Sequence, residues 1–291
     1  MPKQRTAKQH FDYLCNRVWC ILKLGKEYDT TILETTITDL MWAYLRKNKA
    51  HFRDVRVWMT KSSTGDEVDH GTDWEWWIGC DCHGWFRYAV QAKRVSHEKS
   101  GKNTYRKLRQ GASDTAKQKY PGLKYQHEIL RQHANNRRLK VIPLYAFYNY
   151  VRVDDREYFR KNFWHCKSDF DKRKFGVTLT PLQNVESALR RGGWRTFDDM
   201  HTFCETIPMR CLVCKNARDI CPSKHMDVYF DKEQGWHQHL PQILRDTLSR
   251  EDVQTQEAVQ TLTADDLPRD LYHGEPKYWP KAIAVTRLDH C

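Results

Sequence analysis

A polar pair interrupts the apolar stretch RYAVQAKRV at residues 87–95. The pattern of this stretch is typical of a β-strand, in which residues two apart lie on the same face. Gln91 and Lys93 therefore share one face. Polar side chains in a strand built for burial need hydrogen-bonding partners or a chemical role. The preceding segment TDWEWWIG predicts a second strand, and the short polar CDCHG segment between them predicts a tight turn.

Hairpin geometry brings acidic residues to the same face. A turn centred on Cys82 places Asp73 opposite Gln91, because both are equally far from Cys82. Directly opposed side chains have Cβ atoms about 4.5–5.5 Å apart. Glu75 lies on this face too. Such oxygen ligands suit Mg²⁺, which polarises a phosphoryl oxygen and lowers the pKa of a bound water. Lys93 can orient that water and offset charge developing on the phosphate.

A helix is predicted ahead of this hairpin. Residues 30–48 carry apolar side chains at close to the 3.6-residue period of an amphipathic helix. Thr30 or Thr31 is the expected N-cap, and Glu34 lies three residues after Thr31, as in a capping box. Glu34 is therefore either a helix cap or a further carboxylate for the metal.

Two segments resemble the Mrr-like (QxK) branch of the PD-(D/E)xK nuclease superfamily: GTD at 71–73 and YAVQAKR at 88–94. The resemblance implies an α/β, restriction-endonuclease-like core whose central mixed β-sheet is flanked by helices. It also implies Mg²⁺- or Mn²⁺-dependent hydrolysis of DNA phosphodiester bonds, as in bacterial restriction or anti-phage defence.

The same resemblance assigns roles to individual residues. Asp73 is the metal-binding carboxylate, Gln91 the second metal-site residue and Lys93 the catalytic lysine. Glu34 is the accessory carboxylate from the preceding helix. Glu75, within DWEWW, departs from the general pattern and is retained as an additional metal-binding and catalytic candidate.

Other periodic segments complete an α/β pattern. We expect residues 1–150 to form the nuclease core. Residues 151–291 are expected to form a C-terminal region that is continuous with the core or packed on it. The remaining predicted elements are strands at 54–60 and 139–150, and helices at 125–136 and within 183–204.

The charge of the chain suits a polyanionic partner. Lys and Arg number 49 against 37 Asp and Glu, a formal net charge of +12, although a high charge also serves solubility alone. Between residues 93 and 119, nine basic residues stand against two acidic ones. This segment either binds nucleic-acid phosphates or is a solvated loop. The candidate DNA-binding residues are Lys99, Lys102, Arg106, Lys107 and Arg109, with Tyr105 and Tyr120 either stacking on bases or packing internally.

The cysteines give a second candidate metal site. The first ten residues lack the apolar segment of a secretory signal, so we expect a cytoplasmic protein with no membrane partner and with its ten cysteines as thiols or metal ligands. A C-x6-C-x2-C-x6-C pattern could bind a structural Zn²⁺, with His201 and His225 as spare ligands, or could be buried thiols. The four cysteines of this pattern are Cys204, Cys211, Cys214 and Cys221.

Two shorter features have simpler interpretations. Cys80 and Cys82 with His83 favour a turn over a metal site because of their close spacing. His70, beside the predicted hairpin, could contact phosphate or transfer a proton, although a lone loop histidine more often does neither.

The sequence leaves two functions open. One is the metal-dependent endonuclease, for which an RNA substrate fits the same residues as DNA. The other is a non-catalytic nucleic-acid-binding protein or adaptor with a degenerate nuclease core, which has the same basic charge but needs no metal. A homodimer or a defence-system partner protein is compatible with either.

Overall fold

A computed structural model describes residues 7–47, 55–59, 71–98, 100–136, 139–152, 156–164, 170–192, 195–213, 224–242, 244–246 and 282–288. The fold is α/β, with a mixed β-sheet flanked by helices, as predicted. The α-helices are α1 (Ala7–Glu27), α2 (Glu34–Lys47), α3 (Asp114–Lys119), α4 (Gln126–Ala134), α5 (Arg156–Phe163), α6 (Leu182–Arg190), α7 (Phe197–His201) and α8 (Lys232–Gly235). The strands are β1 (Val55–Met59), β2 (Trp74–Cys80), β3 (Gly84–Arg94), β4 (Ser96–His97), β5 (Asn103–Thr104), β6 (Ile142–Tyr148), β7 (Val177–Pro181), β8 (Ile207–Pro208), β9 (Trp236–His237) and β10 (Ala282–Arg287).

The chain divides into two compact units that alternate along the sequence. The first comprises Met1–Phe52, Ala92–Gln110 and Leu144–Phe230, and the second comprises Arg53–Gln91, Gly111–Pro143 and Asp231–Cys291. Strand β3 passes from the second unit into the first after Gln91. Each unit draws on both halves of the sequence, and the division into residues 1–150 and 151–291 stays a prediction.

The β2–β3 hairpin is the centre of the second unit. Its register runs from Trp74↔Val90 to Cys80↔Gly84, which confirms the predicted turn centred on Cys82. Gly84 has φ of +82°, a left-handed conformation that glycine adopts without strain. The hairpin buries several tryptophans, and it is buried on both faces because consecutive residues of β2 are all buried. The fully buried ones are Trp74, Trp76, Trp77 and Trp85.

Strand β10 inserts between β1 and β2. It pairs antiparallel with β1 and parallel with β2, where Ile283 lies opposite Glu75. This strand is absent from the sequence prediction, because a six-residue segment carries no local sign of a partner some 200 residues earlier.

Helices α1 and α2 lie in the first unit. Helix α1 buries residues spaced three and four apart, a pattern that predicts an amphipathic helix although the sequence analysis did not assign one. It approaches the 3₁₀ helix Lys172–Gly176 closely, since a Cβ on Gly176 would lie 1.8 Å from the carbonyl oxygen of Cys15. Helix α2 begins at Glu34, later than the predicted N-cap at Thr30 or Thr31.

Strands β6, β7 and β8 form the sheet portion of this unit. Tyr148 lies opposite Val177, and Leu179 opposite Ile207. The region predicted to hold one or two helices forms α6 and α7. Among the residues that the structure describes, no helix is long and apolar enough to cross a membrane.

Candidate functional site

The hairpin joins Asp73 to Gln91. The backbone N–H of Asp73 donates to the carbonyl oxygen of Val90 at 2.8 Å, which extends the register by one residue. The side-chain Nε2 of Gln91 donates to Oδ2 of Asp73, and Gln91 is buried. This bond uses one oxygen of Asp73 and the amide nitrogen of Gln91, so the amide oxygen of Gln91 and Oδ1 of Asp73 are not part of it.

Lys93 follows two residues later on the same strand. Its side chain therefore leaves the strand on the same face as Gln91, and it is 2% exposed. A buried ammonium group needs hydrogen-bond acceptors. The amide oxygen of Gln110 is one such acceptor, at 3.2 Å from Nζ. The backbone N–H of Gln110 donates to the carbonyl oxygen of Lys107, and this hydrogen bond closes the turn that ends at Gln110.

Glu34 contacts the end of the same strand. Its Oε1 accepts a hydrogen bond at 3.1 Å from the backbone N–H of Arg94, the residue after Lys93. Because α2 begins at Glu34 itself, the predicted capping box with Thr31 is wrong. Burial lowers the pKa of the Arg94 guanidinium, and the negative charge of Glu34 partly offsets this effect.

Glu75 is paired with a buried arginine, and its predicted role at the metal site stays a prediction. Both of its carboxylate oxygens accept hydrogen bonds from Arg87, at 2.9 Å from Nε and 2.6 Å from Nη2. The two side chains are 2% and 0% exposed. Arg87 also donates to the carbonyl oxygen of Leu139 at 3.0 Å and lies over the ring of Trp77. Glu75 therefore neutralises a buried cation, and we leave it out of the candidate metal site.

A sequence signal for this ion pair existed. Arg87 lies opposite Trp77, two residues along from the position opposite Glu75, and on the same face of the hairpin. Diagonal neighbours of this kind are within reach of long side chains. A buried arginine destabilises the protein unless a carboxylate neutralises its charge, and Glu75 is the acidic residue at that diagonal position.

Asp73 and Gln91 together offer a small set of oxygen donors. Mg²⁺ prefers oxygen and is commonly held by one or two carboxylates together with waters and substrate phosphates. Within the described ranges, no three side chains of His, Cys, Asp or Glu gather in a group suited to a metal ion. Asp73 and Gln91 are the two side chains of the pair that could contribute oxygen ligands to Mg²⁺ or Mn²⁺, which is fewer than a tight, all-protein metal site needs.

A family model covers nearly all of these features. It is the DUF6615 model, described as a family of unknown function, and it matches residues 7–270. The chain belongs to this family. No curated protein and no solved structure matches the chain. The matched residues of this DUF6615 protein include Asp73, Gln91, Lys93 and Glu34.

The basic segment of this DUF6615 protein is anchored by an aromatic residue. Strands β4 and β5 form a short hairpin, with Ser96 opposite Thr104. The next residue, Tyr105, is fully buried, donates to Oδ1 of Asn149 at 2.5 Å and stacks on Phe147. Tyr105 therefore packs internally and does not stack on bases.

The cations around this anchor face solvent. Exposed lysine and arginine side chains can neutralise nucleic-acid phosphates, and a solvated surface segment has the same exposure, so both interpretations stay open. Lys99, a further candidate, lies outside the described residues, and Tyr120 packs against Ala112, Ala116 and Ile129. The exposed candidates are Lys102, Arg106, Lys107 and Arg109.

The described cysteines only partly match the expectations. Cys204 is half-buried, Cys211 is buried and both are free thiols, whereas Cys214 and Cys221 lie outside the described residues. The zinc site therefore stays a prediction. His201 is not a suitable spare ligand, because its Nε2 bonds Thr178 and its Nδ1 bonds the carbonyl oxygen of Phe197. The side chain of His225 lies outside the described residues.

The β2–β3 turn also departs from one expectation. Residues 81–83 form the predicted turn, and Cys82 is an exposed thiol. Cys80, at the end of β2, is disulfide-bonded, which contradicts the expectation that every cysteine is a thiol or a metal ligand. His70 lies outside the described residues.

Proposed function

We propose that this DUF6615 protein is a metal-dependent endonuclease that hydrolyses DNA phosphodiester bonds and acts in prokaryotic restriction or anti-phage defence. The observation that carries the proposal is the Asp73–Gln91 pair in the predicted register, on the same strand face as the buried Lys93. Burial of Gln91 and Lys93 in the hairpin has a cost in stability. A catalytic role explains that cost.

Each side chain has a defined part in this proposal. Asp73 and the amide oxygen of Gln91 would hold Mg²⁺ or Mn²⁺, which when bound would supply an activated water and a positive charge at the phosphate. Lys93, held by Gln110, positions the attacking water and stabilises the negative charge that develops on the phosphate oxygens. Glu34, fixed by the backbone of Arg94, is the accessory carboxylate at the end of β3.

The test measures cleavage of plasmid DNA, linear duplex, single-stranded DNA and RNA with Mg²⁺, Mn²⁺ or EDTA. Asp73→Asn and Lys93→Met remove the reactive groups while preserving side-chain size. We expect each to lower metal-dependent cleavage by about 100-fold or more, the scale seen when one transition-state contact is removed. The single-stranded and RNA substrates identify the nucleic acid.

Matched controls come from exposed residues. Lys23→Met on α1 and Asp114→Asn at the start of α3 remove the same charges from surface ion pairs, and both should cleave like the wild type. Thermal unfolding of every variant checks that the fold is retained. Undiminished cleavage by folded Asp73→Asn and Lys93→Met would overturn the assignment.

One observation favours a second function, a non-catalytic nucleic-acid-binding protein or adaptor. Glu75 is engaged by Arg87, so Asp73 is the one carboxylate of the hairpin that fits the metal site. A binding protein would bind DNA in EDTA with a strong salt dependence and would cleave none of the four substrates. Binding of that kind would also weaken on charge removal at Arg106 or Lys107, but not in Asp73→Asn.

A further inference from the structure

A polar cavity of about 200 Å³ lies within the first unit, and we call it the Arg94 cavity. Its walls come from the last turn of α1, the loop after that helix, the end of β3, strand β4 and the start of the basic segment. The polar residues on which the argument rests are Lys26, Asp29, Thr31, Arg94, His97 and Arg106.

Strand geometry separates this cavity from the candidate nuclease residues. Arg94 directly follows Lys93 in β3, and neighbouring residues in a strand point to opposite faces. Lys93 and Gln91 therefore leave one face of β3, whereas Arg94 leaves the other. A ligand in the Arg94 cavity would therefore be bound without Asp73, Gln91 or Lys93, whereas Arg106 is shared with the candidate DNA-binding residues.

The cavity is predominantly positive. Among the residues that line it, Lys26, Arg94 and Arg106 contribute three cations against the carboxylate of Asp29, and Glu34 acts on Arg94 from outside the lining. Arg106 also lies 3.8 Å from Glu98, but its side chain is 62% exposed, and such surface pairs contribute little. Burial lowers the pKa of His97, and the charges of Lys26 and Arg94 lower it further. The positive charges of Lys26 and Arg94 therefore both act on the cavity beside His97.

The guanidinium of Arg94 is the group in this cavity best suited to bind a ligand. It is half-buried, and in the part of the chain that the structure describes its guanidinium donates no hydrogen bond to a protein acceptor. Glu34 accepts a bond from the backbone N–H of Arg94. A guanidinium has five N–H donors in a planar fork that matches phosphate oxygens. A half-buried fork facing a polar cavity is suited to an oxyanion.

The other walls add polar groups in fixed positions. Nδ1 of His97 donates to Oδ1 of Asn103 at 2.7 Å, so Nε2 accepts hydrogen bonds in the neutral ring and donates to a phosphate oxygen when the ring is protonated. The loop bearing Thr31 is held against α1 because Thr30 N–H donates to the Gly25 carbonyl at 2.7 Å. A Cβ at Gly25 would lie 2.8 Å from the carbonyl oxygen of Thr30, so glycine permits this close approach.

We infer that the Arg94 cavity is a phosphate-binding site, with Arg94 and Arg106 as the charged ligands and with Lys26, Thr31 and His97 supporting them. The phosphate belongs either to a small molecule such as a mononucleotide or to a nucleic-acid strand. The inference does not depend on the proposed nuclease, because it requires neither cleavage nor a divalent metal.

Calorimetric titration of the full-length protein in EDTA tests this inference. The probes are inorganic phosphate, adenosine 5′-monophosphate and a 5′-phosphorylated 12-nucleotide single strand. We expect Arg94→Gln to weaken binding at least 10-fold and Arg106→Gln to weaken it several-fold. Lys23→Gln, on the same helix as Lys26 but outside the cavity, should bind like the wild type. The ring resonances of His97 should shift when ligand is added.

Each outcome has a definite meaning. Binding of phosphate and mononucleotide but not of the strand identifies a small-molecule ligand, and the reverse identifies a strand phosphate. Absence of binding by the wild type to all three probes overturns the inference, as does unchanged binding by both arginine variants. Arg106 is exposed, so its variant remains informative if Arg94→Gln does not fold. Lys93→Met should bind phosphate normally, which separates this result from failure of the nuclease proposal.

Discussion

Removal of Arg87 tests whether Glu75 is a structural residue. Arg87→Met leaves the Glu75 carboxylate 2% exposed and without its bidentate partner. It also removes the hydrogen bond to the carbonyl of Leu139. Loss of one member of a buried ion pair costs about 3–5 kcal/mol, because the remaining charge stays desolvated. A domain of this kind has a total stability of about 5–15 kcal/mol, so the expected loss is a large share of the whole.

The companion variants separate the ion pair from general damage to the core. Glu75→Gln leaves the guanidinium of Arg87 buried without a carboxylate and should also destabilise the protein. In the double variant Glu75→Gln/Arg87→Met neither charge remains. Its loss of stability should therefore be smaller than the sum of the single losses by about 1–3 kcal/mol, the usual coupling of contacting residues.

Urea unfolding monitored by tryptophan fluorescence measures these differences, with the dependence on urea concentration checked for constancy among variants. Lys117→Met is the matched control, because its pair with Asp114 is exposed and should contribute less than about 1 kcal/mol. The reasoning is refuted if Arg87→Met is as stable as Lys117→Met. A Glu75→Gln protein with wild-type stability that has lost metal-dependent cleavage would return Glu75 to the metal site.

Three further predictions follow from the same contacts. Gln91→Glu sets a second carboxylate against Asp73, which should cost about 1–4 kcal/mol without divalent metal, and melting curves should recover on addition of Mn²⁺; no recovery would argue against a metal at this pair. Gly176→Ala should lower the free energy of unfolding by about 1–3 kcal/mol, because the new Cβ would lie 1.8 Å from the carbonyl oxygen of Cys15. In Gly111→Ala the new Cβ would lie 3.9 Å from its nearest neighbour, so this variant should be as stable as the wild type. Equal stabilities of the two variants would contradict the prediction. Burial lowers the pKa values of His97 and His237 in the folded protein. As the pH drops through about 6.5, the unfolded chain therefore binds protons before the folded protein does, and the free energy of unfolding falls. Unfolding at pH 7.5 and 5.5 should show a drop in stability that His97→Gln and His237→Gln reduce, and a drop unchanged in both variants would contradict the assignment.

The hairpin could be predicted from the sequence because its information is local. The turn at residues 81–83, the alternation in β3 and the Trp-rich β2 are all within 21 residues, and together they fix the pairing of Asp73 with Gln91. In a hairpin the register is set by the turn and its length, which matters here because both faces of β2 and β3 are buried. The two-residue alternation of a strand also placed Glu75 on the same face as Asp73, but it did not show that the carboxylate of Glu75 turns toward Arg87.

Other features depend on contacts between distant segments. Strand β10 reaches β1 and β2 from the far end of the chain, and no feature of AIAVTR predicts those partners. The contact of Glu34 with the backbone of Arg94 likewise joins segments that are 60 residues apart in sequence. Gln110 lies only 17 residues after Lys93, but no regular element of the sequence pattern pairs the two. Such pairings are decided by the packing of whole elements, to which a local pattern contributes little.

Strand β3 makes the two proposals separable in one protein. Its alternation sends Gln91 and Lys93 to one face and Arg94 to the other. If both proposals hold, Lys93→Met abolishes cleavage and retains phosphate binding in EDTA, while Arg94→Gln weakens phosphate binding without removing the metal-dependent chemistry. Loss of both properties in either single variant would mean that the strand itself is disturbed, and the exposed Arg106 then decides whether the cavity binds phosphate. Binding of the 12-nucleotide strand by a protein that cleaves nothing would favour the nucleic-acid-binding function, with Arg94 rather than Lys93 as its central residue.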